Sequence, residues 1–412
     1  MNNQIKLAVA AALLAAASSA NAGISIPAGD WTLDIGGVVN AYYTSTRTSG
    51  DFTGLNGGVL GGSNTANVHT ASNITTGLLP NYLSVSGKTR QNDLDVGFTI
   101  SINPGASTTH SAMQGSQQEN RQAFLTFGDA SWGSFKLGKD LGIYASDAIL
   151  NDMTLLGVGS GAGLLAGNTT TLGRIGTGFM YADWKSQIAY STPNFNGFSA
   201  TIGLTQSWNT YGAGDTVSPT NSSTRVAGAF NSFASAGRGG SEPAFEGKAS
   251  YDFATDAAKG KVWVSGITQK VNGTQDRAEA ADIGANVNVA GFGLTAYYGR
   301  GNGMGTTVQL RDGFNSLGQA RDSEDYYVQA TYVLPTATKL GVSWGESKLT
   351  GTGAADTGLA GNEYKNRMWT IGAYHPLTKH LNLVAEYSDV QTDIAAASGT
   401  SKTVDVGAIL FF

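Results

Sequence analysis

Residues 93 to 103 read DLDVGFTISIN, and no other stretch so narrows what the chain can become. Leu94, Val96, Phe98, Ile100 and Ile102 alternate without a break with Asp95, Gly97, Thr99 and Ser101. Period-two patterning makes a strand with one apolar and one polar face. The decisive property is its length. Strands of soluble domains average about 5–6 residues, whereas a tilted strand that crosses a bilayer needs ~9–11. The pattern recurs in Ile283, Ala285, Val287 and Val289, in Phe292, Leu294, Ala296 and Tyr298, and in Tyr326, Val328, Ala330, Tyr332 and Leu334. It returns in Leu381, Leu383, Ala385 and Tyr387, and the chain ends in it, at Val404, Val406, Ala408, Leu410 and Phe412.

Composition narrows the choice further. Charged residues make up 13% of the chain, about half the usual quarter. Glycine contributes 57 of 412 residues, and Ser, Thr and Asn abound. Such a chain suits a disordered secretion product, a β-solenoid, or a barrel that is apolar outside and polar inside. The connections decide among them. Strands are expected near 31–43, 80–90, 93–103, 120–129, 133–140, 181–192, 197–208 and 243–253, then near 260–270, 280–290, 292–300, 323–334, 338–347, 365–375, 380–389 and 402–412. Tight turns such as 91–92, 129–131, 290–291 and 335–338 alternate with long polar loops at 44–79, 104–119, 141–180, 209–242, 271–279, 301–322, 348–364 and 390–401. No fixed-period repeat supports a solenoid. Short turns at one end and long loops at the other, with an even strand number, are the pattern of an outer-membrane barrel. The fold expected is all-β: a 16-stranded antiparallel transmembrane β-barrel with short periplasmic turns and long extracellular loops. Aromatics near strand ends, among them Trp31, Tyr42, Tyr43, Trp132, Tyr190, Phe195, Phe198, Tyr326, Tyr332, Tyr374, Tyr387 and Phe412, suit the girdles of such a barrel.

The first residues read as a leader. Lys6 precedes the run LAVAAALLAAA, and Ala-Asn-Ala closes at 20–22, so residues 1–22 are expected to be a cleaved signal peptide and 23–412 a single barrel domain. The formal net charge of −5 becomes −6 once the leader's single Lys6 is lost, which gives no electrostatic reason to expect nucleic acid as a partner. Without any Cys, disulfides, thiol catalysis and Cys-ligated metals are excluded.

Local motifs add a resemblance. NRQAFLTFGDASWGSFKLGKDLGIY (120–144) and IAYSTPNFNGFSATIGL (188–204), with the leader and the terminal Phe, resemble the general Gram-negative porin family. The resemblance implies a homotrimer in the outer membrane of a Gram-negative bacterium, among lipid and lipopolysaccharide. It also implies a C-terminal aromatic, here Phe412, read by the outer-membrane assembly machinery. A third loop folded into the lumen would narrow the pore, and no cofactor is implied. One departure is visible: the family often has an arginine about where Tyr82 stands.

Physical reasoning reaches a similar function. A barrel of 16–18 strands is too wide for side chains to fill, so an aqueous channel remains. Segment 141–180 carries Ile143, Ile149, Leu150, Met153, Leu155 and Leu156. Leaving such side chains in water costs about 1.5–3 kcal/mol each, so the segment belongs inside, against the wall. ASDAILND is expected to form a short helix with Ser146 or Asp147 at its N-cap. Candidate constriction acids are Asp140, Asp147 and Asp152, and candidate bases are Lys88, Arg90, Arg121, Lys136, Lys139 and Lys185. Acids facing bases across a constriction order solutes and filter ions. Alternation places Lys88, Arg90 and Lys136 inward. Arg121 shares the parity of Ala123, Leu125 and Phe127, which points it outward, while the resemblance points it inward.

Other readings are weaker. GVGSGAG (157–163) lacks the strand and helix that a dinucleotide fingerprint requires. His69, His110, His375 and His380 have no nucleophile elbow or carboxylate partner nearby, so an enzyme is not expected. The expected function is passive diffusion of ions and small hydrophilic solutes. The alternatives are a substrate-selective channel with a specific site for a small nutrient, such as an anionic one, and an adhesive barrel.

Overall fold

The computed structural model describes residues 23–50, 69–107, 118–160, 170–208, 241–271, 274–315, 317–353, 356, 359, 362–395 and 397–412. The expected leader and most of the expected loop 209–242 lie outside the described residues. Strands β1 (Ile24–Ala28), β2 (Trp31–Gly50), β3 (Thr70–Thr75), β4 (Tyr82–Gln91), β5 (Leu94–Pro104) and β6 (Gln118–Glu119) come first. They are followed by β7 (Ala123–Asp129), β8 (Gly133–Leu141), β9 (Trp184–Ser191), β10 (Phe198–Thr205), β11 (Ala244–Ala254), β12 (Ala258–Gln269) and β13 (Ala278–Val289). The chain ends with β14 (Phe292–Asn302), β15 (Asp322–Val333), β16 (Lys339–Thr350), β17 (Glu363–Pro376), β18 (Leu381–Ile394) and β19 (Ala397–Phe411).

Sixteen of these, β2, β4, β5 and β7 to β19, pair antiparallel in chain order and close on themselves. Closure removes the open edges that would otherwise strand backbone amides in lipid. The seam is the β19–β2 pair, running from Gly399 opposite Gly50 to Phe411 opposite Val38. Beyond it Phe412 exchanges two backbone bonds with Gly37, at 2.8 and 3.1 Å. A Cβ on Gly37 would come within 2.2 Å of the Tyr82 carbonyl oxygen and 2.8 Å of the Phe412 ring, so the seam needs glycine there. Strand β1 continues the line of β19 along β2, with Ile24 opposite Ile35. Short strands were not expected at β1, β3 and β6. Each extends a longer strand's edge and is too brief to show alternation.

Alternation sorts the two faces as expected. Ile100, Ile188, Ile202, Leu294, Val328, Val342, Ile371 and Val404 are exposed on the outside. Aromatic pairs band the outer wall near the short turns, including stacked Phe127–Phe135 and tilted Phe292–Tyr332 at 5.4 and 4.4 Å between centroids. A second band, with Tyr326–Trp344 and Trp369–Tyr387 at 5.5 and 5.1 Å, lies toward the long loops. On β15, Tyr332 and Tyr326 are about 20 Å apart along the strand at ~3.3 Å per residue, so the bands bracket an apolar belt. Two expected rim aromatics are corrected. Tyr42 and Tyr374 face inward and are buried, because their parity is that of Asn40 and Gly372 rather than of Val39 and Ile371.

Strands β16 to β19 run further toward the long loops than expected, over Lys348–Thr350, Glu363–Tyr364 and Val390–Ile394. There the outward positions are charged, at Lys348, Lys365 and Asp393, so hydrophobic alternation fades although pairing continues. The second barrel strand is also broken. Residues 76–81 leave the wall between β3 and β4 and turn inward, where Leu78 and Leu79 are buried. Asn40 fills the gap: its Nδ2 donates to the Leu79 carbonyl at 2.8 Å and its Oδ1 accepts from Gly77 N at 2.9 Å. Asn40→Ala would leave both groups buried without partners, at about 1–3 kcal/mol each before relaxation. The variant is therefore expected to lose its compact band on SDS gels at a lower temperature than the parent; an unchanged transition would show that the break does not depend on Asn40.

Candidate pore constriction

The segment from β8 to β9 lies inside the barrel, and its neck is pinched where Gly142 N donates to the Asp183 carbonyl at 2.7 Å. Helix α1 (Ser146–Leu150) and a 3-10 turn (Met153–Leu156) follow. The helix lies where expected, but its N-cap is Ala145 in a left-handed conformation, with no side-chain cap. Ser146 instead donates to the Ile143 carbonyl, and Asp147 stands in the first turn. The apolar side chains that predicted an interior place, Ile143, Ile149, Met153 and Leu155, are buried. Ile149, Met153 and Leu155 belong to one apolar cluster with Trp263, Tyr297, Tyr327, Tyr374 and Val384 of the wall.

A polypeptide inside a barrel cannot leave its amides unpaired, so the wall supplies acceptors. Glu246 on β11 takes Ile143 N and Tyr144 N on one oxygen, at 2.8 and 2.9 Å. Its other oxygen takes Lys185 Nζ at 2.5 Å and the Thr205 hydroxyl at 2.7 Å. Glu386 on β18 takes Val158 N and Gly159 N at 2.9 and 2.8 Å, and the Tyr374 hydroxyl at 2.6 Å. Gly157 is required beside it, since a Cβ there would stand 2.3 Å from the Glu386 carboxyl. Between these anchors, Gln329 on β15 takes Met153 N at 2.7 Å and donates to the Asn151 carbonyl at 3.1 Å. Tyr327 and Tyr42 donate to the carbonyls of Ala148 and Leu156, at 2.9 and 2.7 Å. The returning limb carries Arg174, buried, which donates to the Met368 carbonyl at 3.0 Å and to the Ser343 hydroxyl.

Charge is distributed unevenly around α1. Asp147 is gripped by Lys248 Nζ at 3.0 Å and Lys261 Nζ at 2.7 Å, from the inward faces of β11 and β12. Burial pushes this carboxyl up, but the two ammonium groups outweigh it and hold it below the usual value. Asp152 is the converse. Burial raises it, and Arg174 at 3.8 Å offsets only part of that rise.

The family model of the Gram-negative porin matches residues 8–395. The chain belongs to the Gram-negative porin family. It forms an outer-membrane channel through which solutes pass by passive diffusion. No curated protein matches it significantly. Solved structures share its fold at low identity. The outer membrane channel DcaP of Acinetobacter baumannii is 16% identical with a TM-score of 0.62, covering 95% of this chain and 100% of that one. OmpF of Salmonella typhi is 15% identical with a TM-score of 0.55, covering 94% and 100%. OmpT of Vibrio cholerae is 11% identical with a TM-score of 0.53, also covering 94% and 100%.

The residues singled out in the porin's sequence do not form one ring. Asp140 and Lys136 pair with each other on the inward face of β8, and Asp140 also accepts from Gln122 at 2.9 Å. Asp147 reaches lysines that the sequence reading passed over. Asp152 and Lys185 are sealed against Arg174 and Glu246. Arg121 is buried just before β7, with Nε on Glu119 at 2.8 Å and its guanidinium 5.7 Å from the Trp184 ring centroid. Lys88 pairs with Asp34 at 3.2 Å, and Arg90 with Asp95 and Asp129 at 2.8 and 2.9 Å, all toward the short turns and not on the third loop. Lys139 has the outward parity of Leu137 and donates to the Asn120 carbonyl at 2.8 Å. This corrects its place among the constriction bases, because alternation along β8 puts Lys136 and Lys139 on opposite faces.

A second inward loop was missed. Met304, Thr307, Gln309, Leu310 and Phe314, between β14 and β15, are buried, and Gln309 donates to the Ala182 carbonyl at 3.1 Å. Arg321 closes this loop on Asp356 with two bonds of 2.7 and 2.5 Å. The signal available was the same as for the third loop: large apolar side chains inside a long connection.

Glu386→Ala would leave two buried loop amides without acceptors, at about 1–3 kcal/mol each. Single-channel currents of that variant are expected to flicker where the parent is steady; steady current would show that Glu386 is not a tether. Lys139→Gln is expected to leave the reversal potential of the channel unchanged, because that side chain faces outward.

Proposed function

We propose that the porin passes ions and small hydrophilic solutes through an aperture bounded on one side by α1 and the 3-10 turn. The inward faces of β4, β5 and β7 to β10 bound the other side. The observation that carries this reading is the position of the third loop. It is anchored to β11, β12, β15 and β18, and among the described residues its hydrogen bonds to the wall leave the strands β4, β5, β7 and β10 untouched. Those strands line the interior with Ser84, Ser86, Thr99, Thr126 and Thr201, which suit hydrated solutes.

The functional unit in this reading is a homotrimer set among lipid and lipopolysaccharide. Its support is the family, together with the outer wall of β2 to β7. That wall exposes Val39, Tyr43, Ile74, Leu83, Ile100 and Leu125, while outward charges such as Glu324, Lys348, Lys365 and Arg367 gather on β15 to β17. Residues 1–22 direct export and are removed. Phe412 on the final strand marks the chain for the outer-membrane assembly machinery.

The test is the current through purified protein in a planar bilayer. Stepwise closure in thirds is expected. A membrane with inserted protein and no conductance would overturn the reading, and closure in single full steps would overturn the trimer. Removing Phe412 is expected to reduce the yield of folded barrel in the outer membrane several-fold without lowering synthesis, measured as the heat-modifiable fraction.

A further inference from the structure

The ion pairs on the inward wall beside α1 share an asymmetry. Where acid and base meet on the inward wall near α1, the acid is turned into the protein and the base is turned toward water. Asp147 is 3% exposed, whereas Lys248 and Lys261 are 26% and 23% exposed. Asp140 is 8% exposed and its partner Lys136 is 33% exposed. Both oxygens of Asp147 are occupied, one by each lysine, and both oxygens of Asp140 are occupied, by Gln122 and Lys136. The carboxylates therefore anchor and the ammonium groups front the lumen. The sealed pairs Asp152–Arg174 and Lys185–Glu246 expose neither sign.

We infer that Lys136, Lys248 and Lys261 make this channel prefer anions, against the acidic balance of the whole chain. The inference rests on the reading of the chain as an open pore and adds the sign of its filter. At α1 two part-exposed lysines grip one buried carboxylate, and the neighbouring inward acids Asp282 on β13 and Asp325 on β15 are themselves buried, so the charge that fronts the lumen there is positive. A fixed charge beside a narrow, low-dielectric aperture acts on each passing ion at short range, where salt screens it least. Net charge elsewhere counts for less. Asp252, inward and directly opposite Lys261, is exposed but is followed by exposed Lys259 on the facing strand, so the region nearer the short turns is balanced. Glu119 is exposed beside buried Arg121, but it lies on β6 at the long-loop end, beyond the paired lysines.

The experiment is the reversal potential under a potassium chloride gradient, for the parent and for Lys136→Gln, Lys248→Gln, Lys261→Gln and Asp147→Asn. The parent is expected to favour chloride, by roughly twofold or more. Each lysine variant should move the potential toward cations, and the Lys248→Gln/Lys261→Gln pair should abolish or invert the preference. Asp147→Asn should strengthen it; if that variant does not fold, the single lysine variants decide the question alone. A cation-favouring parent, or a potential that the lysine variants leave unmoved, overturns the inference while leaving the pore intact. Absence of current from the parent overturns the porin reading beneath it.

Discussion

A loop that enters a barrel brings its backbone polar groups with it, and an unpaired buried amide costs as much as a lost hydrogen bond. The interior of this protein is organised around that cost. Glu246 and Glu386 each offer one carboxylate oxygen to two consecutive loop amides, on strands at opposite ends of the third loop's path. Ser265, Gln329 and Tyr327 continue the series from strands between them, and Tyr42 adds a bond from β2 beyond the seam. Glu246 is paired with Lys185, and charge-assisted bonds of the kind its carboxylate accepts are about twice as strong as neutral ones. The apolar cluster beneath the loop then adds area but little direction, so hydrogen bonds set where the loop lies.

This arrangement has an electrostatic consequence. Acids committed to holding backbone cannot also face solutes. Glu246 and Glu386 are buried, and Asp152 spends its oxygens on Thr154 and the turn it begins. Lysine reaches further than aspartate, and its stem packs along apolar surface while its head stays in water. The interior thus separates the two signs by depth, and the composition of the whole chain is a poor guide to the field a solute meets.

The wall was legible in the sequence because one physical rule governs it. Lipid outside and water inside force period-two alternation, and 93–103 or 402–412 declare their faces without any fold in view. Legibility failed where the rule lapses. The outward residues Lys348, Lys365 and Asp393 sit above the apolar belt, so alternation of hydrophobicity vanished while pairing continued. The interior place of 141–180 is readable from Ile149, Met153 and Leu155, and the same signal stands in Met304, Leu310 and Phe314, though weakened there by the polar residues between them. Candidate charges were harder. Parity offers Lys136, Lys248 and Lys261 as inward residues equally well, the last two in FEGKAS and GKVWVS, but the candidate bases came only from the second and the fourth to sixth strands. Which lysine meets Asp147 depends on where α1 crosses the lumen, and that is set by contacts distant in sequence.

The central claim is that the third loop borders the path of ions. The chain has no cysteine, so one can be introduced without a competing thiol. Leu150, at the end of α1, is only partly buried. In Leu150→Cys, a charged, water-soluble methanethiosulfonate added during a single-channel recording should reduce the current in discrete steps, and a reductant should restore it. Modification confirmed by mass with no change in current would contradict the claim, and would place the conducting path away from the loop.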